Sequence, residues 1–110
     1  MAKKLPSHRN AEQSVLGSIF LNHKKIVNVV DELETNDFFD LQHRYIYEAM
    51  IQVYSEDKIV DYTSVSAMLE QGNNLGKAGG MDYLLDLAEL TPTDSHLDYY
   101  IDLVKDASLK

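Results

Sequence analysis

Asn10-Ala11-Glu12-Gln13-Ser14-Val15-Leu16-Gly17-Ser18-Ile19-Phe20-Leu21 reads as an amphipathic helix. Ala11, Val15, Leu16, Ile19 and Phe20 recur at three- and four-residue spacings and share one face. Glu12 departs from the pattern: at ~100° per residue it falls inside the apolar arc, between Ala11 and Val15. Two readings stand. In one, the carboxylate sits in the first turn because the positive end of the helix dipole favours an acid there. In the other, it is partly buried and paired across the core, with His43 or Arg44 as the chemically suitable partner. Both readings are structural.

The same period continues outward from this helix. Asn22 and His23 make a break, and Ile26, Val27, Val30 and Leu33 form a second helix that Glu34 to Asp37 ends. Phe38, Phe39 and Leu41 follow as a short apolar plug. The clearest stripe is Ile46, Ala49, Met50 and Val53, within Gln42 to Tyr54. Asp61 is a good N-cap for a helix carrying Val65, Met68 and Leu69, which Gly72 closes. Residues 72–80 hold four of the five glycines and two asparagines and read as loop. Gly79-Gly80 leads into a helix with Leu84, Leu87 and Ala88 that ends before Pro92. Asp94 or Ser95 caps a last helix with Leu97, Tyr100, Ile101 and Val104.

Ile59-Val60 is the one β-like piece and is too short to build a sheet. The pattern therefore predicts an all-α single domain, a compact bundle of about six short helices over residues 9–110, with a disordered lead-in over 1–8. Val15, Ile19, Phe20, Ile46, Met50, Val53, Leu69, Leu84 and Ile101 are expected to be buried together.

Composition narrows the function classes. The chain has 110 residues, one domain's worth, and no cysteine, which excludes disulfides, thiolate metal sites and a cysteine nucleophile. Eighteen acids against ten bases give a net charge of −8. A phosphate-binding surface needs clustered Lys and Arg, so tight binding of DNA or RNA is not expected. No apolar run approaches a membrane span, and Met1 to Pro6 has no apolar stretch behind its lysines, so neither a membrane segment nor a signal peptide is expected.

No catalytic motif emerges. Gly72-Asn73-Asn74-Leu75-Gly76-Lys77-Ala78 is one residue short of GxxxxGK[ST], and Ala78 stands where a P-loop needs a hydroxyl for Mg²⁺. It reads as a glycine-rich helix connection. His8, His23, His43 and His96 never fall three or four apart, so no helix offers a histidine pair to a metal. The expectation is no catalytic residue, no metal and no cofactor. The helix from Gly80 to Leu90 is the best docking candidate. Its polar residues Asp82, Asp86 and Glu89 occupy a narrow arc, and apolar residues fill the remaining ~220°. Either this helix is buried on two sides or one edge faces another protein. The second reading makes Tyr83 and Leu85 the edges of the arc, with Met81 beside them, and Tyr83 the preferred contact.

The residues also carry a resemblance. Leu5-Pro6 with Ala11-Glu12-Gln13-Ser14-Val15-Leu16-Gly17 is similar to the opening of bacterial replicative DNA helicases of the DnaB family. Asp37-Phe38-Phe39, His43 with Ile46-Tyr47 and Met50, Val60-Asp61 with Thr63-Ser64-Val65, Gly79-Gly80-Met81-Asp82-Tyr83-Leu84, and Thr91-Pro92-Thr93 with Tyr99-Tyr100-Ile101 follow in the family's order. Arg9-Asn10 and Asp94-Ser95-His96 depart from it.

The resemblance implies the N-terminal collar domain of a hexameric helicase, without the helical hairpin and the RecA-like motor that bind ATP and Mg²⁺ in the full-length parent. It implies no enzymatic activity for this fragment. The implied partners are the primase C-terminal domain, other copies of the helicase chain and, as a further candidate, a helicase loader. The implied setting is the cytoplasm of a bacterial or phage-infected cell. The alternative is the helicase-binding helical domain of a primase or loader.

Overall fold

Six α-helices and two 3₁₀ turns account for the architecture in the computed structural model, which describes residues 9–109; the expected lead-in over 1–8 lies outside the described residues. The helices are α1 (Arg9–Leu21), α2 (Ile26–Glu32), α3 (Leu41–Ser55), α4 (Tyr62–Gln71), α5 (Gly80–Leu90) and α6 (Leu97–Ser108). No strand occurs among the described residues, so the fold is all-α. The radius of gyration is 13.1 Å. A single packed domain of this length should measure about 13 Å, so the helices form one body.

α1 is the central helix, packed against α3, α5 and α6, while α4 lies on α3 and reaches α5. Its buried residues run almost unbroken: Ala11, Glu12, Val15, Leu16, Gly17, Ser18 and Ile19. Burial on more than one face demands small residues on the second face, and Ala11, Gly17 and Ser18 supply them. Ser18 hides its hydroxyl by donating to Ser14 O at 2.7 Å. Of the residues expected in the core, Phe20 is only partly buried, packed against the cluster's edge; the others are buried.

Gly17 sets the approach of α1 to α5. A Cβ there would lie 2.6 Å from the Leu87 carbonyl oxygen and 2.8 Å from Thr91 Cβ. Gly→Ala inside an open helix gains about 1 kcal/mol. At this site the added methyl meets backbone, so Gly17→Ala is expected to lose ~1–3 kcal/mol instead. Chemical denaturation checks the sign, and a gain would mean that α5 can move aside.

The segment between α2 and α3 corrects one expectation. Phe38 is fully buried, its ring 4.8 Å from that of Tyr47, but Phe39 and Leu41 are 61% and 64% exposed. The backbone is extended at Phe38, and successive side chains of an extended segment point to opposite sides. Phe38 therefore plugs the core alone. Burial, with Asp37 nearby, pushes the Tyr47 hydroxyl well above the ordinary tyrosine range, and it donates to Leu33 O at 2.7 Å.

Side-chain caps fix the starts of α3 and α4. Asp40 Oδ1 accepts from Gln42 N at 2.9 Å, and Asp61 and Ser64 form a reciprocal capping box on α4. The start of α6 differs from expectation: His96 holds the cap position without a side-chain bond, because Asp94 is bonded instead to Asn22 Nδ2 (3.2 Å) and Ser95 to Thr93.

Candidate functional site

α1, α3 and α5 converge on a polar network built around Glu12, His43 and Tyr83. The first turn of α1 carries Glu12, 2% exposed, against the N-terminus of α3. Its Oε2 accepts from Phe39 N at 2.7 Å, and Oε1 accepts from Asp40 N at 3.3 Å. Phe39 and Asp40 lie just ahead of α3, outside any helical ladder, so the carboxylate supplies the acceptors that their backbone N–H groups would otherwise lack. Oε1 also lies 2.7 Å from His43 Nδ1. Arg44 takes no part: its Nε donates to Phe38 O at 2.6 Å. Being next in the helix, it points ~100° away from His43. Of the two candidate partners, the structure brings only His43 to Glu12.

The other ring nitrogen, His43 Nε2, lies 2.5 Å from the Tyr83 hydroxyl, and the two rings are nearly parallel with centroids 5.8 Å apart. Gln13 Nε2 and Arg9 Nη2 donate to the same hydroxyl at 3.1 and 3.2 Å. A hydroxyl has two lone pairs and one proton. Gln13 and Arg9 fill the lone pairs, so the proton goes to His43 Nε2. In this arrangement His43 Nε2 accepts from Tyr83 and Nδ1 donates to Glu12. Arg9 also pairs with Asp40 and lies 5.7 Å from the Tyr83 ring centroid. No buried side-chain polar atom among the described residues lacks a partner.

A His between a carboxylate and a hydroxyl suggests proton transfer, but His43 is fully buried with both nitrogens engaged. No substrate atom can reach it. The network ties three helices together. Among the described residues, no group of three His, Cys, Asp or Glu could hold a metal ion.

The network also decides how α5 faces solvent. Tyr83, read from the sequence as an outward edge, is half-buried, its hydroxyl drawn inward by Arg9, Gln13 and His43. The helical projection ignores such long-range bonds. Gly79 permits the approach: it has φ +105°, and a Cβ there would lie 2.8 Å from both Tyr83 Cβ and Gln42 Nε2. Leu84 and Leu87 are buried, whereas Met81 and Leu85 are each 42% exposed and Leu90 is 72% exposed. Asp82, Asp86 and Glu89 are exposed among them. α5 is thus an anchored helix with an outward face that alternates apolar and acidic residues.

A profile of the family described as DnaB-like helicase N terminal domain matches residues 4–106. The replicative DNA helicase DnaB of Geobacillus stearothermophilus is 35% identical over 104 residues, which make up 94% of this chain and 23% of that protein. The chain therefore spans less than a quarter of that relative. The crystal structure of the N-terminal domain of DnaB helicase from Mycobacterium tuberculosis superimposes with a TM-score of 0.91 at 32% identity, covering 96% of this chain and 76% of that one. The structure of a DnaB-like replicative helicase, described with its interactions with primase, matches at a TM-score of 0.79 and 29% identity over 92% of this chain and 23% of that one. With the profile running across nearly its whole length, this chain belongs to the family of DnaB-like helicase N-terminal domains.

Proposed function

We propose that this domain is a non-catalytic module of a hexameric replicative helicase, serving collar assembly and the docking of primase. One observation carries the reading: Met81 and Leu85 stand exposed on α5, while Tyr83 between them locks the helix to the core. An apolar pair on a rigid helix is an economical docking face, because little side-chain or backbone freedom is lost on binding. The similarity to a helicase described with its interactions with primase supports primase as the partner. A helicase loader is a second candidate for the same face.

In this reading the domain needs no cofactor, ATP and Mg²⁺ belong to the motor of the full-length protein, and the work is done in the cytoplasm of a bacterial or phage-infected cell. The excess of acidic residues supports a protein partner over nucleic acid.

Leu85→Ala and Met81→Ala test the proposal. Each is expected to weaken binding of the cognate primase C-terminal domain by about tenfold, the effect of ~1.4 kcal/mol at an interface, with an unchanged melting temperature. Calorimetric titration beside circular dichroism measures both. Unchanged affinity in both variants would remove α5 as the docking face.

A further inference from the structure

On the side of the domain formed by α2 and the end of α3, a second surface combines apolar side chains with lysines. A cavity of about 300 Å³ opens between the 3₁₀ turn His23–Lys25 with the start of α2 and the irregular segment 58–60 that follows α3. Ile26 and Val60 form a buried floor. Val27, Tyr54 and Ile59 form the walls and are 46%, 41% and 58% exposed. Lys24 and Lys58 stand at the rim, with Lys25 adjacent and Asp57 at one end. Lys58 is engaged by Glu56 at 3.1 Å, but Lys24 and Lys25 have no ion-pair partner among the described residues.

Both walls are pinned. Asn22 Oδ1 accepts from Lys24 N at 3.3 Å and fixes the 3₁₀ turn. Ser64, held in the capping box of α4, donates to Ile59 O at 2.7 Å, and Lys58 N donates to Val53 O at 3.2 Å. The exposed Ile59 is therefore a feature of an ordered segment, and the groove exists before anything binds, which lowers the cost of binding.

Charge indicates what fits. The chain carries a net −8, yet two lysines, Lys24 and Lys58, line this groove against the single lining acid Asp57, with Lys25 next to Lys24 in sequence. An acidic segment is repelled by most of the surface and attracted here, and one with aliphatic side chains on a single face also covers Val27, Tyr54 and Ile59. Helix-in-groove recognition joins these two requirements in one ligand. We propose that this groove is a docking site for an acidic amphipathic helix of a partner protein, separate from the α5 face.

The probe is a synthetic helix of three Glu-Leu-Leu-Asp repeats, with three Lys-Leu-Leu-Lys repeats as the control, each titrated into the isotope-labelled 110-residue chain and followed by amide chemical shifts. The acidic peptide is expected to shift residues 21–27 and 54–60, with affinity falling several-fold from 20 to 300 mM salt as screening rises. Lys24→Glu and Ile59→Ala, both at exposed positions, are expected to weaken it about tenfold, and Lys77→Glu, away from the groove, to leave it unchanged. Equal binding of the basic peptide, shifts centred on α5, or indifference to Lys24→Glu and Ile59→Ala would each overturn the proposal. Shifts of the same residues on concentrating the protein alone would also overturn it, by assigning the groove to a second copy of the chain.

Discussion

Glu12→Ala is expected to cost about 3–5 kcal/mol of folding stability, the lower part of the range for leaving three donors without their acceptor at ~1–3 kcal/mol each. Three donors converge on that carboxylate: Phe39 N, Asp40 N and His43 Nδ1. Alanine satisfies none of them, and each buried donor without an acceptor costs ~1–3 kcal/mol. The alternative account gives a different number. A carboxylate that only complements the dipole of α1 is worth ~0.3–1 kcal/mol. Urea denaturation separates the two, and a loss below about 1 kcal/mol would reduce Glu12 to a dipole partner.

Glu12→Gln refines the result. Its amide oxygen can accept from one side, but its NH₂ then faces another donor, so stability should fall between wild type and Glu12→Ala. The same experiment bears on His43. Without the carboxylate nothing accepts from Nδ1, so the tautomer argued from the Tyr83 hydroxyl is no longer enforced. Nitrogen shifts of the His43 ring, distinctly Nδ1-protonated in the wild type, should move toward a tautomer mixture in any Glu12 variant that still folds.

The six helices are legible in the sequence because each buries a stripe, and a stripe repeats locally. Ile46, Met50 and Val53 announce α3 without reference to any other segment. Asp61 and Gly72 mark the ends of α4 by equally local chemistry. What depends on a distant segment is not legible in this way. Glu12 stands out as an acid in an apolar arc, but His43 and Arg44 are adjacent, and only the packing of α1 on α3 selects between them. Gly17 gives no local signal, since its role is the absence of a Cβ opposite Leu87 and Thr91. Tyr83 misleads for the same reason. A helical projection places it at an outward edge, and three partners from α1 and α3 turn its hydroxyl inward. The near-continuous apolar arc of α5 invited a choice between burial on two sides and an exposed edge. α1 takes the central position, having the small residues that admit neighbours on two faces, and leaves Met81, Leu85 and Leu90 of α5 uncovered.

Leu84→Ala tests that assignment through its contrast with a neighbour on the same helix. Leu84 is fully buried in the core cluster, and its truncation leaves a cavity as well as lost apolar contact, so the expected cost is ~2–5 kcal/mol. Leu85, one position along and ~100° around, is 42% exposed. Removing the same atoms there opens no enclosed cavity, and Leu and Ala differ little in helix propensity, so the cost should stay within about 1 kcal/mol. Both variants delete the same three carbons, so the difference between them cancels the chemistry and reports position alone. Denaturation midpoints that fell equally would mean that α5 is turned so that Leu85 also packs inward, and the docking face would lose one of its two apolar anchors. A large loss for Leu84→Ala alone keeps Leu85 available to a partner, and a binding defect in Leu85→Ala can then be attributed to the surface.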